Sequence, residues 1–138
     1  MLGKTNTTLL QGIQAAAKHG AVIEAKFELD DSGALSLSTY TAKGFDTFFE
    51  VSGPAAAAVW KPGNDKITAR EDLVNSTVDL TILDQGSIDL TTAVQRALSK
   101  QTGFAYWAVP TLQNKQPVIG VYILDNGGKS HHLFIPVK

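Results

Sequence analysis

The chain presents the same succession of patterns twice, about eighty residues apart. An apolar, alanine-rich stretch at 9–17 leads to Gly20 and then to a run in which apolar and polar residues alternate. A second apolar stretch at 90–98 leads to Gly103 and another apolar run. Few positions are identical between the two copies, so the evidence for a repeat is the shared order of helix, glycine, strand, turn and strand. This order predicts an α+β chain of two tandem units.

Both apolar stretches have the spacing of an amphipathic helix. The first is predicted to form a helix over 8–18 that ends at Gly20, and the second a helix over 90–100. In each, apolar residues recur at separations that place them on one face. These residues are Leu9, Leu10, Ile13, Ala16 and Ala17 in the first helix, and Leu90, Ala93, Val94, Ala97 and Leu98 in the second.

The segment after Gly20 predicts a strand with one buried face and one wet face. Its apolar residues alternate with Glu24, Lys26 and Glu28, which favours an antiparallel sheet. Turn sequences at 30–33 and 125–128 indicate hairpins. Strands are predicted at 21–29, 35–41, 47–51, 104–112, 118–124 and 131–137. Each unit is therefore expected to pack its amphipathic helix on an antiparallel β-meander, the first unit over 1–76 and the second over 77–138.

The segment 53–76 belongs clearly to neither copy. Residues 55–58 follow Pro54 and predict either a short helix or an extended lead into Val59 and Trp60. After this segment, the alternation over 78–82 predicts a strand. Pro110 predicts a sheet edge or a bulge in its own strand.

Composition excludes several classes of protein. The 12 basic and 13 acidic residues are scattered along the chain, so no basic surface for nucleic acid is expected. There is no cysteine, hence no disulfide and no thiolate site. The longest apolar run, 118–124, is far shorter than the ~20 residues of a membrane span. Residues 1–6 lack the apolar core of a signal peptide, which leaves a cytoplasmic protein or a mature form without its leader.

The patterns for catalysis or metal binding are weak. His131 and His132 are adjacent on a predicted strand and point to opposite faces, while His19 lies at a helix C-terminus. The glycines at 127–128 do not have the phosphate-loop spacing, and no serine has the context of a nucleophile elbow. The aspartates at 30–31 are typical of a turn. We therefore predict no catalytic residue, no metal site and no cofactor.

The aromatic residues are the candidates for binding. Tyr106 and Trp107 occupy one predicted strand, Tyr122 lies on its expected partner, and Trp60 falls in the irregular segment. Core packing accounts for many such residues, because aromatic side chains bury a large area and suit strands. The alternative is that these four residues contribute to a groove for a peptide or protein partner.

The combination of helix, glycine and antiparallel meander resembles the PepSY domain. The resemblance rests on 13–16 and 20–29 in the first copy, and on 88–98, 118–124 and 133–137 in the second. It covers most of the chain outside 53–76, although neither copy shows clearly the closing acidic residue and Thr-Gly pair of many PepSY units. The resemblance implies a bacterial, extracytoplasmic, non-catalytic domain that modulates peptidases or accompanies other envelope modules. It carries over no functional residues.

Two functions are expected from these observations. The first is a non-catalytic periplasmic or secreted module that binds a protein or peptide and modulates a peptidase, with a cytoplasmic location as the alternative. The second is a small-ligand pocket protein or compact enzyme whose site lies between helix and sheet, lined by Phe27, Tyr106 or Tyr122. Pairing through an edge strand would instead indicate an assembly protein. The sequence leaves the oligomeric state open.

Overall fold

The computed structural model describes residues 5–138, so the expected lack of a signal peptide over 1–6 falls mostly outside them. No helix within this range is long and apolar enough to cross a membrane. The helices are α1 (Leu9–Ala16), which continues into a 3-10 turn (Ala17–His19), α2 (Arg70–Leu83) and α3 (Leu90–Lys100). The strands are β1 (Ala21–Leu29), β2 (Leu35–Lys43), β3 (Thr47–Pro54), β4 (Gly63–Lys66), β5 (Phe104–Gln113), β6 (Gln116–Leu124) and β7 (Ser130–Pro136).

The strands form one seven-stranded sheet in the order β4-β3-β2-β1-β5-β6-β7, and every neighbouring pair is antiparallel. The predicted α+β class and antiparallel pairing are therefore confirmed. β1 pairs with β5 at Ala25–Ala108 and Lys26–Trp107, so the sheet continues across the middle of the chain. The division into two tandem units stays a prediction, and its boundary after residue 76 falls within α2.

α1 and α3 contact each other on one face of the sheet, here called the inner face, and cover the main core. α1 begins with a capping box in which Thr8 and Gln11 bond each other's backbone amides. α3 begins with the Asp89 carboxylate accepting the Thr92 amide at 2.8 Å. The core draws on both halves of the chain, and its larger buried side chains are Leu9, Ile13, Phe27, Leu37, Leu90, Val94, Ile119, Val121, Ile123, Ile135 and Val137.

Gly20 and Gly103 make the sharp junctions between a helix and a central strand. Their φ angles are 148° and 154°, values that side chains other than hydrogen disfavour. A Cβ on Gly20 would also lie 2.7 Å from the Ala42 carbonyl oxygen, and one on Gly103 would collide with the Leu124 carbonyl oxygen. Glycine is therefore needed at both junctions.

α2 lies on the opposite face, here called the outer face, where it contacts β1, β2, β5 and β6. Leu73, Leu80 and Leu83 pack there against a second, smaller cluster of buried residues. The cluster consists of Ile23, Ala42, Phe48 and Ile67. The face that the alternation of β1 predicted to be wet is thus partly covered.

The predicted strand at 78–82 is wrong, because these residues lie in α2. Its β-branched and threonine residues mimic the alternation of a strand, but burial follows a spacing of three residues, through Ser76, Asp79 and Ile82. Packing on the sheet decides the conformation here, since intrinsic propensity is only a weak preference.

Two smaller expectations also change in the structure. Residues 55–58 form a turn after β3 rather than a helix. β5 is an interior strand, so Pro110 does not mark an edge, and the bulge of β5 lies between Ala105 and Trp107 instead. The pairing of β1 with β5 ends at Ala108, two residues before Pro110, which has no amide hydrogen to donate.

Candidate functional site

α2 does not close against the outer face along its whole length, and a cleft of about 330 Å³ remains beside it. This space, the α2 cleft, lies between the helix and strands β1, β2 and β5. Its volume is at the lower end of the range for small-ligand pockets. The lining residues are Glu24, Lys26, Tyr40, Asp72, Asn75, Ser76, Val78, Asp79, Trp107 and Val109.

Strand alternation explains the charged floor of the α2 cleft. Ala25 belongs to the main core, so its neighbours Glu24 and Lys26 point to the outer face. The register places Glu24 beside Tyr40 of β2, and Lys26 beside Trp107 of β5. β1 therefore presents two charged side chains between two aromatic ones.

Glu24 and Asp79 bring two carboxyl groups together in the α2 cleft. Glu24 Oε2 accepts a hydrogen bond from Trp107 Nε1 at 2.9 Å. Asp79 faces Glu24 from α2 and is only 8% exposed. Burial raises the pKa of Asp79 to about 8, and hydrogen bonding with Glu24 and its negative charge contribute to the increase. At neutral pH the two carboxyl groups therefore hold a proton between them.

Tyr40 and Glu50 form a second acidic pair at the edge of the cleft. Tyr40 Oη donates a hydrogen bond to Glu50 Oε2 at 3.3 Å. Burial is the main cause that raises the pKa of Tyr40, and the charge of Glu50 is the next. Burial also raises the pKa of Glu50, with Glu28 and Asp72 adding to the effect and Tyr40 opposing it. The phenol therefore keeps its proton and serves as a donor.

Lys26 is the basic residue among those that line the α2 cleft. Its Nζ lies 3.1 Å from Glu28 Oε2 and 5.8 Å from the centre of the Tyr40 ring. Burial by itself would lower the pKa of Lys26, but the hydrogen bond and charge of Glu28, together with the charges of Glu24 and Glu50, outweigh it and the net change is an increase. The positive charge of Lys26 also acts on Asp79 without offsetting its burial. The cleft therefore keeps an excess of acidic groups.

An aromatic row runs from the α2 cleft across β5, β6 and β7 and consists of Trp107, Tyr122 and His132. Trp107 and Tyr122 stack with ring centres 4.8 Å apart, and His132 meets Tyr122 edge-on at 4.3 Å. The strand register aligns the three residues. Trp107 and Tyr122 are half-buried, and His132 and the nearby Phe134 are exposed. This part of the outer face therefore presents aromatic rings to solvent.

The four aromatic residues predicted to bind a partner do not lie together at one site. Tyr106 lies 6.1 Å from Tyr122 between ring centres, but it packs against the main core and its hydroxyl bonds Ser130 Oγ at 2.6 Å. Trp60 packs against the main core and donates from Nε1 to the Gly53 carbonyl oxygen at 3.1 Å. Because Gly53 is in β3, two strands separate it from β5. Trp107 is the one of the four that lines the α2 cleft.

The histidines have separate surroundings. His131 Nε2 lies 2.7 Å from Asp125 Oδ2, and this contact is the main cause that lowers the pKa of Asp125. His19 Nδ1 lies 3.4 Å from Asn64 Nδ2. Within residues 5–138, no group of three His, Cys, Asp or Glu side chains is placed to hold a metal ion.

Sequence reasoning missed Glu24, Lys26, Tyr40 and Asp79 as site residues. The outer face of β1 was predicted to be exposed to solvent, and residues 78–82 of α2 were predicted to form a strand. No prediction therefore placed a helix over β1. One available signal was the acidic pair at 71–72, which favours a helix N-terminus at that point.

A larger and mostly apolar cavity, of about 480 Å³, lies where α1 and α2 end and α3 begins. Its apolar lining residues include Ile13, Val22, Ile23, Leu80, Leu83, Ile88 and Leu90. Phe27, Tyr106 and Tyr122 line neither this cavity nor the α2 cleft. A ligand pocket around those three residues therefore has no counterpart in these two spaces.

No known family model and no curated protein matches the chain. One solved structure with a similar arrangement is that of a candidate lipoprotein from Clostridium difficile 630. It is 14% identical, the match covers 97% of this chain and 88% of that one, and the TM-score is 0.44. The site described above rests on this chain's own residues.

Proposed function

We propose that this chain is a non-catalytic module that binds an extended peptide or protein segment on the outer face of its sheet. The observation that carries the proposal is the aromatic row, which is partly exposed and runs directly into the α2 cleft. Aromatic side chains supply much of the energy of binding surfaces, because they bury a large area at a small cost in rotamer entropy.

β7 offers the backbone groups that such a segment needs. It ends the strand order, so one of its edges pairs with no other strand among residues 5–138. A segment added to this edge would continue the sheet through backbone hydrogen bonds. Its side chains would then lie beside His132 and Phe134, next to the rest of the aromatic row.

A display selection tests this proposal. A library of random short peptides is selected on the immobilised chain, and enriched peptides are measured against Tyr122→Ala and Trp107→Ala. We expect each substitution to weaken binding by about tenfold or more. Phe45→Ala is the matched control, because Phe45 is a 61% exposed aromatic residue at the β2–β3 turn and should not matter. The proposal is overturned if no peptide is enriched, or if the enriched peptides bind the Tyr122→Ala and Trp107→Ala variants as tightly as the wild type.

An extracytoplasmic location and a role in modulating a peptidase belong to the same proposal. Both are implied by the PepSY resemblance, as is the duplication of a helix-plus-meander unit, which the equivalent junctions at Gly20 and Gly103 support. The regulatory role is tested by the rate of a thermolysin-family envelope peptidase with and without an excess of the chain. A rate that does not change argues against the peptidase role and leaves peptide binding standing.

A small-ligand protein or compact enzyme is the second candidate. The Glu24–Asp79 pair favours it, because two carboxyl groups that hold one proton can serve as acid and base. The two candidates differ in the fate of a bound peptide. Recovery of intact peptide after long incubation with the chain supports the binding module. Reaction products that form with the wild-type chain but not with the Asp79→Asn variant support the enzyme.

A further inference from the structure

We propose that the α2 cleft receives the guanidinium group of an arginine side chain, held between the carboxyl groups of Glu24 and Asp79. The inference rests on the proposed function, because the arginine would belong to the segment bound along the aromatic row. It specifies that the bound segment carries an arginine. It also predicts that binding releases the proton held by Glu24 and Asp79.

The charges around the α2 cleft favour a cation as the bound group. β1 contributes Glu24 and Glu28 together with Lys26, β2 contributes the Tyr40 phenol, and β5 contributes no charged group to the lining. The remaining charged groups that act here are Glu50 of β3, and Asp72 and Asp79 of α2. Lys26 is engaged by Glu28 at 3.1 Å. Carboxyl groups therefore outnumber the available positive charge, and a buried carboxylate is costly without a partner.

Asp79 provides independent evidence for a missing partner. The residue is only 8% exposed and lines the cleft, and within residues 5–138 no N–H or hydroxyl group donates a hydrogen bond to its carboxyl group. The group that faces it is Glu24, which is also an acceptor. Two acceptors are bridged by a proton or by an incoming donor group, and a positively charged donor also offsets their negative charge.

The geometry favours a guanidinium group over an ammonium group. Glu24 uses Oε2 for the Trp107 indole, which leaves Oε1 for a ligand. A planar guanidinium presents several N–H groups in a fixed fork and can bond two carboxylates at once, whereas an ammonium acts as a point charge. Trp107 and Tyr40 flank the charged floor and can contact the apolar stem of an arginine side chain.

An arginine in this position displaces the proton that Glu24 and Asp79 hold. Because the pKa of Asp79 is raised to about 8, affinity should increase with pH through that value. Lys26 and Tyr40 do not contribute to this change, since their pKa values are raised from reference values that are already high. Higher salt should weaken binding.

The two tryptophans allow a direct test in the full chain. The probe is N-acetyl-arginine amide, with neutral N-acetyl-citrulline amide as its control, and the readout is the pair of indole N–H signals in a ¹H–¹⁵N spectrum. The Trp107 indole donates to Glu24 and should shift, whereas the Trp60 indole donates to Gly53 and should not. We expect affinity for the arginine probe to exceed that for citrulline, and to rise by up to about a hundredfold between about pH 6 and about pH 9.

Two variants keep this test decisive. Asp79→Asn should abolish both the preference for arginine and the dependence on pH, whereas Glu71→Gln, at an exposed residue of the same helix that does not line the cleft, should change them little. Equal binding of the two probes, or an equal shift of both indoles, overturns the inference. If the display-selected peptides depend on Tyr122 but are not enriched in arginine, the inference fails and the proposed function stands. If no peptide binds but the chain still prefers the arginine probe, the proposed function alone is contradicted.

Discussion

Asp30 and Asp79 show how local surroundings move the proton affinity of a carboxyl group in opposite directions. Asp30 lies in the β1–β2 turn and accepts hydrogen bonds from the Ser32 hydroxyl at 2.6 Å and the Ala34 amide at 3.0 Å. These bonds favour the ionised form and lower the pKa of Asp30. Asp79 has no such donors, and its burial opposite Glu24 raises its pKa instead. The first aspartate builds a turn, and the second holds a proton under a helix.

The proton on Asp79 makes stability depend on pH in an unusual direction. The unfolded chain releases this proton near its ordinary pKa of 3.8, whereas the folded chain keeps it to about pH 8, so stability falls as pH rises between these values. Asp79→Asn removes this loss. The free energy of unfolding of the variant minus that of the wild type should be roughly 1–3 kcal/mol larger at about pH 8.5 than at about pH 5.

Urea unfolding at the two pH values measures this effect, with Glu71→Gln as the control on the same helix. Glu71 is exposed and does not line the α2 cleft, so its substitution should change stability similarly at both pH values. An advantage of Asp79→Asn that is the same at both values would mean that Asp79 is ionised throughout.

α2 is the element whose conformation depends most on its surroundings. Its sequence contains several β-branched residues, and the hydroxyls of Thr77 and Thr81 donate hydrogen bonds to the carbonyl oxygens four residues earlier. Ala69 occupies the N-cap position, and its methyl side chain cannot accept a hydrogen bond from the amides of the first turn. By contrast, α1 and α3 carry side-chain caps at Thr8 and Asp89. Contacts with the outer face of the sheet therefore supply much of the stability of α2.

Ala69→Ser should stabilise the protein. The backbone of Ala69 is already extended, as an N-cap requires, so a serine hydroxyl can accept an amide of the first turn and add about 1 kcal/mol. The free energy of unfolding from urea titration measures the gain. Ala56→Ser, in the exposed turn after β3, is the control and should be nearly neutral. A loss of stability from Ala69→Ser would indicate that the segment does not begin a helix there.

The whole molecule is held together by a sheet and a core that both cross its middle. β1 and β5 join the two halves at Ala25–Ala108 and Lys26–Trp107, and the main core takes buried residues from α1 and from α3. Neither half encloses this core by itself. A chain of this size with a shared core is expected to unfold in one cooperative step.

Two variants with one tryptophan each test this cooperativity. Trp107→Phe leaves Trp60 to report on the first half, and Trp60→Phe leaves Trp107 to report on the second. We expect the fluorescence transition of each variant in urea to coincide with its own transition in far-UV circular dichroism. Separate transitions within one variant would show that the halves over 1–76 and 77–138 unfold as independent units.

Several elements could be predicted from local sequence. α3 has the predicted ends, 90–100, because a capping aspartate precedes an apolar stripe and both signals lie within the helix itself. The alternation of β1 likewise predicted which of its residues enter the core, among them Ala25 and Phe27. The turns at 30–33 and 125–128 were confirmed, since aspartate side chains bond their own backbone there.

The sequence by itself thus determined the α+β class, the antiparallel strands and two of the three helices, because the interactions that specify them join residues close in the chain. Only the tertiary structure decided that residues 78–82 are helical, that one sheet spans both halves and that Glu24 faces Asp79. These features depend on contacts between residues that lie far apart in the chain, such as Glu24 with Asp79 and Ala25 with Ala108. The α2 cleft is therefore a product of long-range packing, which no local pattern of residues specifies.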